Sequence, residues 1–341
     1  MGFHVLTRRI GRVEWRDELI AKQKASLLAA QAEVRALRAK QEKSATQRGR
    51  VNRPSFFFKH HEARRVGELL PVHASRDTIW QVNPKHAAYD FAGSHGIRTP
   101  RIFGHFPDAA SIEWDALPDR FVLKTCDGWS ATGVVPLVQD GGTYRDLLGE
   151  NGTVTRDDVA EMLRRRAATG EVSAELFAEE LLTSPYPDRP GLALDIKIYC
   201  FYGTVGMMMV RNANGSRGHD QLRVRYFDPD GTDLGDAMLH LETDSTLPEP
   251  LFREQLVEAA ARLSAALPTP FVRLDFYEQT DGIVFGEITP SPGGKQLARP
   301  DIDIKLGKLW EDAEARLRAE IIASGALEPR HGETNRAPLP V

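Results

Sequence analysis

Four side chains near the C-terminal end of the sequence have the types and the spacing that metal or phosphate chemistry needs. Arg273 and Asp275 lie two residues apart in an apolar stretch, and Glu287 and Thr289 do so in the next one. In a β-strand, residues two apart share a face, so each pair points to one side. An Asp-Gly dipeptide at 281–282 predicts a tight hairpin between the stretches. Antiparallel pairing across that turn can set Asp275 beside Glu287.

Two neighbouring carboxylates in a sheet repel each other unless a cation lies between them. Mg2+ prefers carboxylate and phosphate oxygens, so Asp275 and Glu287 predict a magnesium site that faces the phosphates of ATP. Arg273, on the same face, could stabilise a developing oxyanion or a transferring phosphate. The alternative is a cross-strand ion pair on an exposed sheet face. That alternative leaves the Ser-Pro-Gly-Gly exit at 291–294 unexplained.

The same segment resembles a known family signature. Arg-x-Asp, a short hairpin and then Glu-x-Asn-x-x-Pro-Gly is similar to the last metal-binding strands of the ATP-grasp superfamily, as in D-alanine–D-alanine ligases. In this chain the second half runs from Glu287 to Gly293, with Thr289 where Asn is usual. The resemblance implies Asp275, Glu287 and Thr289 as metal ligands, the last through its hydroxyl oxygen.

Elements that the superfamily places upstream occur here in the same order. The resemblance implies that Lys124, at the end of the apolar stretch 121–124, and Lys197 contact the nucleotide phosphates. It also implies that the small-residue loop after Lys124 covers the phosphates, with Gly128 and Gly133. Glycine lets backbone amides approach a phosphate because it adds no side chain.

A hinge that presents backbone groups to adenine is the next element of the resemblance. The stretch 177–182 is similar to it, and it implies Glu179, Glu180 and Leu182 as nucleotide-binding residues. Arg273 and the two lysines would then be the catalytic residues, since they neutralise charge on the phosphates and on the reacting carbonyl.

Within the superfamily, the chain most resembles the TupA-like group, which is linked to teichuronopeptide and other cell-surface polymer biosynthesis. That group tends to carry threonine at the position of Thr289. It usually has a histidine where this chain has Asp127. Four stretches carry this likeness: 117–124, 195–203, 285–289 and 306–310.

An α+β fold must position these residues. The resemblance implies an ATP-grasp fold, in which two α+β subdomains grip ATP, preceded by a helical arm. Helical patterns occupy 84–96, 155–170, 250–266 and 306–323, and alternating stretches predict a hairpin over 195–210. We expect four regions: a basic helical arm and linker (1–50), an N-terminal α/β region (51–120), the ATP-grasp domain (121–325) and a flexible tail (326–341).

The arm has its own pattern. Val13, Ile20, Leu27 and Val34 recur every seven residues, which predicts a short coiled coil or one amphipathic helix. Residues 8–50 hold 12 Lys or Arg against 5 Asp or Glu, in a chain of net charge −4. This excess indicates contact with an anionic surface, for which we expect the inner face of a membrane rather than nucleic acid, or else a solvated basic helix. A homodimer or another partner through this helix is the alternative use of the seam.

Composition excludes several classes of protein. Only two cysteines, Cys126 and Cys200, are present, and the start of the chain lacks a secretory signal, so we expect a cytoplasmic protein without a disulfide framework. The sequence has no Cys-x-x-Cys or His-x-x-x-His spacing, no Walker A motif and no Gly-x-Ser-x-Gly elbow, so zinc, P-loop and serine-hydrolase sites are unsupported.

The sequence therefore predicts a ligase with ATP and Mg2+ as cofactors. It would join a carboxylate and an amine, each a small molecule or part of a polymer, through an acylphosphate. A phosphotransferase acting on a hydroxyl is the first alternative, and a non-catalytic nucleotide- or glycan-binding module is the second. A cell-surface polysaccharide or peptide polymer as the product is implied by the resemblance alone.

Overall fold

The computed structural model describes residues 20, 22–34, 36–37, 53–69, 78–127, 132–149, 152–212, 222–325 and 328–333. The chain divides into two units, residues 1–53 and residues 54–341. In the first unit the described residues between 20 and 37 are helical. Its apolar seam residues Ile20, Leu27 and Val34 are exposed, so the predicted coiled coil stays a prediction. None of the helices in the described part of the chain has both the length and the apolar character to cross a bilayer.

The second unit combines helices with two antiparallel-rich sheets. Its α-helices, within the described residues, are α1 (Phe56–Leu69), α2 (Lys85–Ser94), α3 (Arg156–Ala168), α4 (Arg253–Ala265) and α5 (Pro300–Ser324). The strands of the first half are β1 (Ile102–Phe106), β2 (Arg120–Thr125), β3 (Val134–Asp140), β4 (Thr143–Asp146), β5 (Thr153–Val154) and β6 (Leu176–Glu180). Those of the second half are β7 (Asp195–Phe201), β8 (Thr204–Arg211), β9 (Arg223–Phe227), β10 (Glu242–Thr243), β11 (Val272–Gln279) and β12 (Gly282–Thr289).

Each half of this unit forms one six-stranded sheet. The first sheet has the order β1-β6-β2-β3-β4-β5, and all its neighbours are antiparallel. The second has the order β10-β9-β8-β7-β11-β12, with only the short β9–β10 pair parallel among the described strands. This arrangement confirms the predicted α+β class. The strands β3 to β5 were not predicted, because their stretches carry turns and charges that hide the alternation.

Helices cover the sheets where the strands are apolar. Helix α3 packs Val159 and Leu163 onto the first sheet, and a capping box at Thr155 starts that helix. On the second sheet, α4 and α2 cover the face formed by residues such as Ile198 and Leu274. Helix α5 covers part of the opposite face, where the aromatic residues lie. The remainder of that opposite face carries the charged residues described below.

Helix α1 is fixed to this opposite face by one aromatic residue. Phe56 is fully buried and its ring meets those of Tyr199, Phe271 and Trp310 at 5.9, 5.2 and 5.8 Å between centroids. The backbone amide of Phe57 also donates to Asp303 Oδ1 of α5 at 2.8 Å. The sequence indicated only a mixed region here, because the triple phenylalanine and the charges that follow do not separate helix from strand.

Part of the predicted tail is held against the fold. The backbone amide of Arg330 donates to the carbonyl of Ala266 at 2.9 Å, and the amide of Gly332 donates to Ser94 Oγ at 3.0 Å. Residues 328–333 therefore pack on the ends of α4 and α2, while 334–341 lie outside the described residues.

Two helical glycines give a matched test of how closely α1 crosses α5. A Cβ on Gly307 would lie 2.3 Å from the backbone nitrogen of Ser55, whereas one on Gly67 would meet no atom within 4 Å. We expect Gly307→Ala to destabilise the protein by about 1–3 kcal/mol, because the crossing backbone must shift. Gly67→Ala should instead stabilise it by up to about 1 kcal/mol through helix propensity. Urea unfolding measures both, and equal effects would contradict this crossing.

Candidate active site

A row of charged side chains crosses the open part of the second sheet. In the strand register, Asp275 of β11 lies between Lys197 of β7 on one side and Glu287 of β12 on the other. The next row towards α5 holds Arg273 opposite Thr289. The sequence predicted that Asp275 and Glu287 would be neighbours, and the register confirms it.

This register depends on a bulge at Gly286. Near the hairpin, Phe276 pairs with Phe285, but the next pair is Asp275 with Glu287, so Gly286 is an extra residue in β12. Because a shift of one residue turns a side chain to the other face, the bulge brings Glu287 to the face of Asp275. A Cβ at Gly286 would lie 2.8 Å from a ring carbon of Tyr277 and 3.1 Å from the carbonyl oxygen of Asp275. Glycine is the residue that fits this position.

Hydrogen bonds join the charged residues into one network. Arg273 donates from Nε and Nη2 to the two carboxylate oxygens of Asp275 at 2.7 and 2.8 Å. Its Nη2 also donates to Thr289 Oγ1 at 3.0 Å, and the Thr289 hydroxyl donates to Glu287 Oε1 at 2.8 Å. Lys197 Nζ donates to Asp275 from the other side. Arg273 and Lys197 therefore bond directly to Asp275. Thr289 and Glu287 are joined to Asp275 through Arg273, whose Nη2 also lies 3.4 Å from Glu287 Oε1.

The network continues to residues that the sequence did not indicate as a site. Lys197 Nζ lies 2.9 Å from Asp195 Oδ2, and Arg211 Nη2 lies 2.7 Å from the same oxygen. Asp195 is two residues before Lys197 in the same strand, so strand alternation was the available signal. Arg211 lies opposite Asp195 in the register of β7 and β8, a pairing between strands that the spacing within one strand does not indicate.

The charges keep the outermost carboxylate ionised. The side chain of Asp275 is 3% exposed, whereas that of Glu287 is 43% exposed. Burial by itself would raise the pKa of Glu287, but the positive charges of Lys197 and Arg273 and the hydrogen bond from Thr289 outweigh it, and the pKa is lowered. Glu287 is therefore an anion at neutral pH and reaches solvent.

Lysines from the first sheet and from α2 face this network. Lys124 of β2 forms an ion pair with Glu179 of β6, and Tyr89 of α2 donates to the other oxygen of Glu179 at 2.8 Å. Lys85, at the start of α2, is close enough to Glu287 and Glu179 to interact with both. Burial and the charge of Lys124 lower the pKa of Lys85.

Sequence reasoning missed Lys85 because its role depends on where α2 lies. Tyr89 of the same helix binds Glu179 of the first sheet and also packs against Phe285 of the second, at 6.4 Å between ring centroids. The helix therefore bridges the two sheets, and its first residue lies near Glu179 of the first sheet and Glu287 of the second. No pattern in the helix itself indicates this contact.

The remaining predicted nucleotide residues are placed as follows. Gly133 has φ +77°, and a Cβ there would lie 2.3 Å from Thr125 Oγ1, so glycine is required. Gly128 lies outside the described residues. Glu179 is a member of the strand between β1 and β2, and its buried carboxylate pairs with Lys124.

The end of β6 leads into the predicted hinge. The Glu180 carboxylate accepts from Arg98 at 2.7 Å and from the Arg101 amide at 3.2 Å. The carbonyl of Leu182 accepts from the amide of Ala193 at 3.2 Å. Asp127, at the start of the loop that the resemblance assigns to the phosphates, accepts from the Ser173 amide at 2.6 Å, which joins the start of that loop to the segment before β6.

The donor set of this site fits Mg2+ together with phosphate. Asp275 and Glu287 offer hard carboxylate oxygens on adjacent strands, with the Thr289 hydroxyl bonded to Glu287. Within the described residues, no group of three or more His, Cys, Asp or Glu side chains is arranged to hold a metal ion by itself. Protein-bound Mg2+ commonly takes one or two carboxylates and completes its shell with phosphate and water. The two carboxylates and the facing lysines suit that arrangement.

Comparisons with known proteins agree with this geometry. A family model described as TupA-like ATPgrasp matches residues 69–311. No curated protein matches the chain significantly.

Solved structures similar to the chain are distant in sequence. D-alanine–D-alanine ligase from Bacillus anthracis is 14% identical, with a TM-score of 0.44 over 71% of each chain. The ATP-grasp ligase PsnB complexed with its minimal precursor is 15% identical, with a TM-score of 0.38 over 70% of this chain and 61% of that one. D-cycloserine synthetase DcsG is 15% identical, with a TM-score of 0.38 over 74% and 76%. Because these three scores are below 0.5, the family assignment rests on the family model.

The bulge can be tested by adding one methyl group to it. Gly286→Ala should destabilise the protein by about 1–3 kcal/mol, because the Asp275 carbonyl and the Tyr277 ring must give way. It should also weaken any Mg2+-dependent ligand binding, because Glu287 would leave its place beside Asp275. Gly142→Ala, in the β3–β4 turn of the first sheet, is the control, since a Cβ there meets no atom within 4 Å. Calorimetric unfolding and binding titrations measure the two effects, and a Gly286→Ala protein equal to the control in both would count against the bulge.

Proposed function

Because the chain belongs to the TupA-like ATP-grasp family, an ATP- and Mg2+-dependent ligase family, we propose that it joins a carboxylate to an amine through an acylphosphate. The observation that supports this most is the row of Lys197, Asp275 and Glu287 beside Arg273. Such a row offers metal ligands and cations for phosphates, and its lysine and carboxylates are engaged in ion pairs and hydrogen bonds rather than arranged to attack a substrate. The reaction therefore passes through an activated substrate rather than a covalent enzyme intermediate.

Three lysines serve the nucleotide in this proposal. Lys85, Lys124 and Lys197 come from α2, β2 and β7 and face the gap where the triphosphate would lie. Their buried carboxylate partners hold Lys124 and Lys197 in place, so the side chains need little reordering on binding. Backbone groups of the Gly133 loop and of the hinge through Leu182 would complete the nucleotide site. Asp275 and Glu287 would hold Mg2+, which would neutralise charge on the phosphates, and ATP would supply the phosphoryl group that activates the carboxylate.

Arg273 stabilises the charge that develops on the substrate. Its guanidinium is bonded to Asp275 and Thr289, so it is fixed beside the metal ligands. The substrate carboxylate first takes the γ-phosphoryl group of ATP, and ADP leaves. An uncharged amine then attacks the acylphosphate carbonyl, a C–N bond forms, the C–O bond to phosphate breaks, inorganic phosphate leaves, and the amine releases a proton to solvent. The negative oxygen of the tetrahedral intermediate would be neutralised by Arg273. This order of bond changes uses one ATP per bond and releases ADP and phosphate.

The substrates we propose are an amino acid, peptide or uronic acid of cell-surface polymer synthesis, a part of the proposal that rests on family membership. An ADP-release screen over these compounds identifies the donor carboxylate. Hydroxylamine then separates the ligase from a phosphotransferase, because an acylphosphate yields a hydroxamate and a phosphorylated hydroxyl does not. ADP release without any hydroxamate would contradict the ligase mechanism.

Removal of Glu287 tests the metal assignment. Glu287→Ala should lower ATP consumption at least about 100-fold, because a bound Mg2+ would lose one of its two proposed protein carboxylates. Asp281→Ala is the matched control, since that acidic residue lies in the same hairpin and pairs only with exposed Arg98 in the described residues. ADP release measures both proteins, and a Glu287→Ala rate equal to that of the control would remove Glu287 from the metal site.

We also propose that the basic arm recruits the enzyme to an anionic membrane surface or to a second copy. Residues 1–53 form a unit separate from residues 54–341, so their removal should leave ATP consumption unchanged. It should abolish co-sedimentation with vesicles that contain anionic lipid, because the excess positive charge is lost. If the arm binds a second copy instead, sedimentation velocity should show a dimer for the full chain and a monomer after the deletion. Unchanged co-sedimentation and an unchanged number of subunits after deletion would count against both roles.

A further inference from the structure

The carboxylate of Glu179 lies in the interior and has a different partner at each oxygen. Its side chain is 2% exposed, so water cannot replace a partner that is lost. Oε1 pairs with the ammonium group of Lys124, and Oε2 accepts from the Tyr89 hydroxyl at 2.8 Å. These two contacts determine how the plane of the carboxylate is turned. The position of the Lys124 ammonium group therefore depends on a hydrogen bond that comes from α2.

Helix α2 presents two side chains to this corner of the first sheet. Lys85 and Tyr89 are four residues apart and so share one face of the helix. Lys85 Nζ donates to the carbonyl of Thr125, the residue after Lys124, at 3.4 Å. The Tyr89 hydroxyl donates to Glu179 on the neighbouring strand β6. The helix is thus bonded both to the strand that carries Lys124 and to the strand that carries its partner.

The same helix is fixed at two further points, so Tyr89 is a donor with a set position. Tyr89 is 6% exposed, and its ring packs on Phe285 of β12 at 6.4 Å between centroids. At the end of α2, Ser94 Oγ accepts from the Gly332 amide at 3.0 Å. Burial and the charge of Glu179 raise the pKa of Tyr89, so the hydroxyl keeps the proton that it donates.

We propose that Tyr89 is a positioning residue for nucleotide binding, which holds the Glu179 carboxylate and through it the Lys124 ammonium group. This inference rests on the proposed ATP site, in which Lys124 contacts the phosphates. Because a lysine side chain is flexible, a fixed partner reduces the entropy that is lost when the ammonium group binds a phosphate. Tyr89 packs on Phe285, two residues before Glu287, so it also ties this lysine to the strand of the proposed metal site.

Variants of two tyrosines separate the hydrogen bond from the ring that provides it. Tyr89→Phe removes the bond to Glu179 and keeps the ring that packs on β12. Tyr226→Phe is the matched control, because Tyr226 is also buried and its hydroxyl has no hydrogen-bond partner in the part of the chain that the structure describes. Lys124→Gln provides a second background, since it removes the charge for the phosphates while its amide can still donate to Glu179.

The first readout is the affinity for a non-hydrolysable ATP analogue with Mg2+, measured by calorimetry. Tyr89→Phe should weaken binding about tenfold, the loss expected for one hydrogen bond to a charged group, and Tyr226→Phe should bind as the wild type does. In the Lys124→Gln background, Tyr89→Phe should cause no further loss, because the lysine through which it acts is gone. Unchanged affinity in Tyr89→Phe, or an equal loss in both backgrounds, would overturn the proposal, since a purely structural role would not depend on Lys124.

The second readout needs no nucleotide. The rate of reductive methylation of the Lys124 amine, followed by mass spectrometry, should rise severalfold in Tyr89→Phe, because a less firmly held amine meets the reagent more often. It should keep the wild-type value in Tyr226→Phe. An unchanged rate in Tyr89→Phe would overturn the inference even if nucleotide binds. A wild-type protein that binds no nucleotide, with faster methylation in Tyr89→Phe, would instead overturn the proposed function and leave Tyr89 as a structural partner of Lys124 alone.

Discussion

One extra residue in β12 decides which face of the second sheet carries the second carboxylate. In a regular hairpin Asp275 would lie opposite Gly286, and Glu287 would turn into the apolar core beside Leu274. The bulge at Gly286 moves Glu287 to the face of Asp275 instead. Arg273, Thr289 and Lys197 can share one network only because of that shift. The arrangement that suits Mg2+ and phosphates therefore depends on a glycine that itself contacts no ligand.

The second constraint is the balance of buried charge. Asp275, Asp195 and Lys197 are each at most 7% exposed, and an unpaired ion at such a position is strongly unfavourable. The alternation of cations and carboxylates from Arg211 across to Glu287 offsets this cost residue by residue. Such a network gives weak evidence for stability but strong evidence for function, because apolar residues would fold as well. Asp195 pairs with Lys197 and Arg211, and Asp275 pairs with Lys197 and Arg273. Loss of Lys197 would therefore leave each of these carboxylates with one cation.

The sequence was informative wherever the relevant contact was local. The hairpin turn and the two-residue spacing predicted Asp275 beside Glu287, and the register confirms it. Lys197 was named only from the family resemblance, and its role in nucleotide binding stays a prediction. The bulge could also have been predicted from the sequence, since a lone glycine inside a strand often indicates one. Lys85 could not be predicted, because it reaches the site only through the packing of α2 between the sheets. Glu179 was predicted for the hinge, and its side chain pairs with Lys124, a contact between strands distant in sequence.

Mn2+ can replace Mg2+ and be located by its anomalous scattering, which tests the account most directly. Crystals grown with Mn2+ and a non-hydrolysable ATP analogue should show an anomalous peak about 2.1–2.2 Å from a carboxylate oxygen of Asp275 and of Glu287 and from a phosphate oxygen. In the same crystals, Lys197 and Arg273 should lie on the side of the Asp275 and Glu287 carboxylates that faces away from the metal. A nucleotide-bound crystal whose metal peak contacts neither Asp275 nor Glu287 would contradict the proposed site.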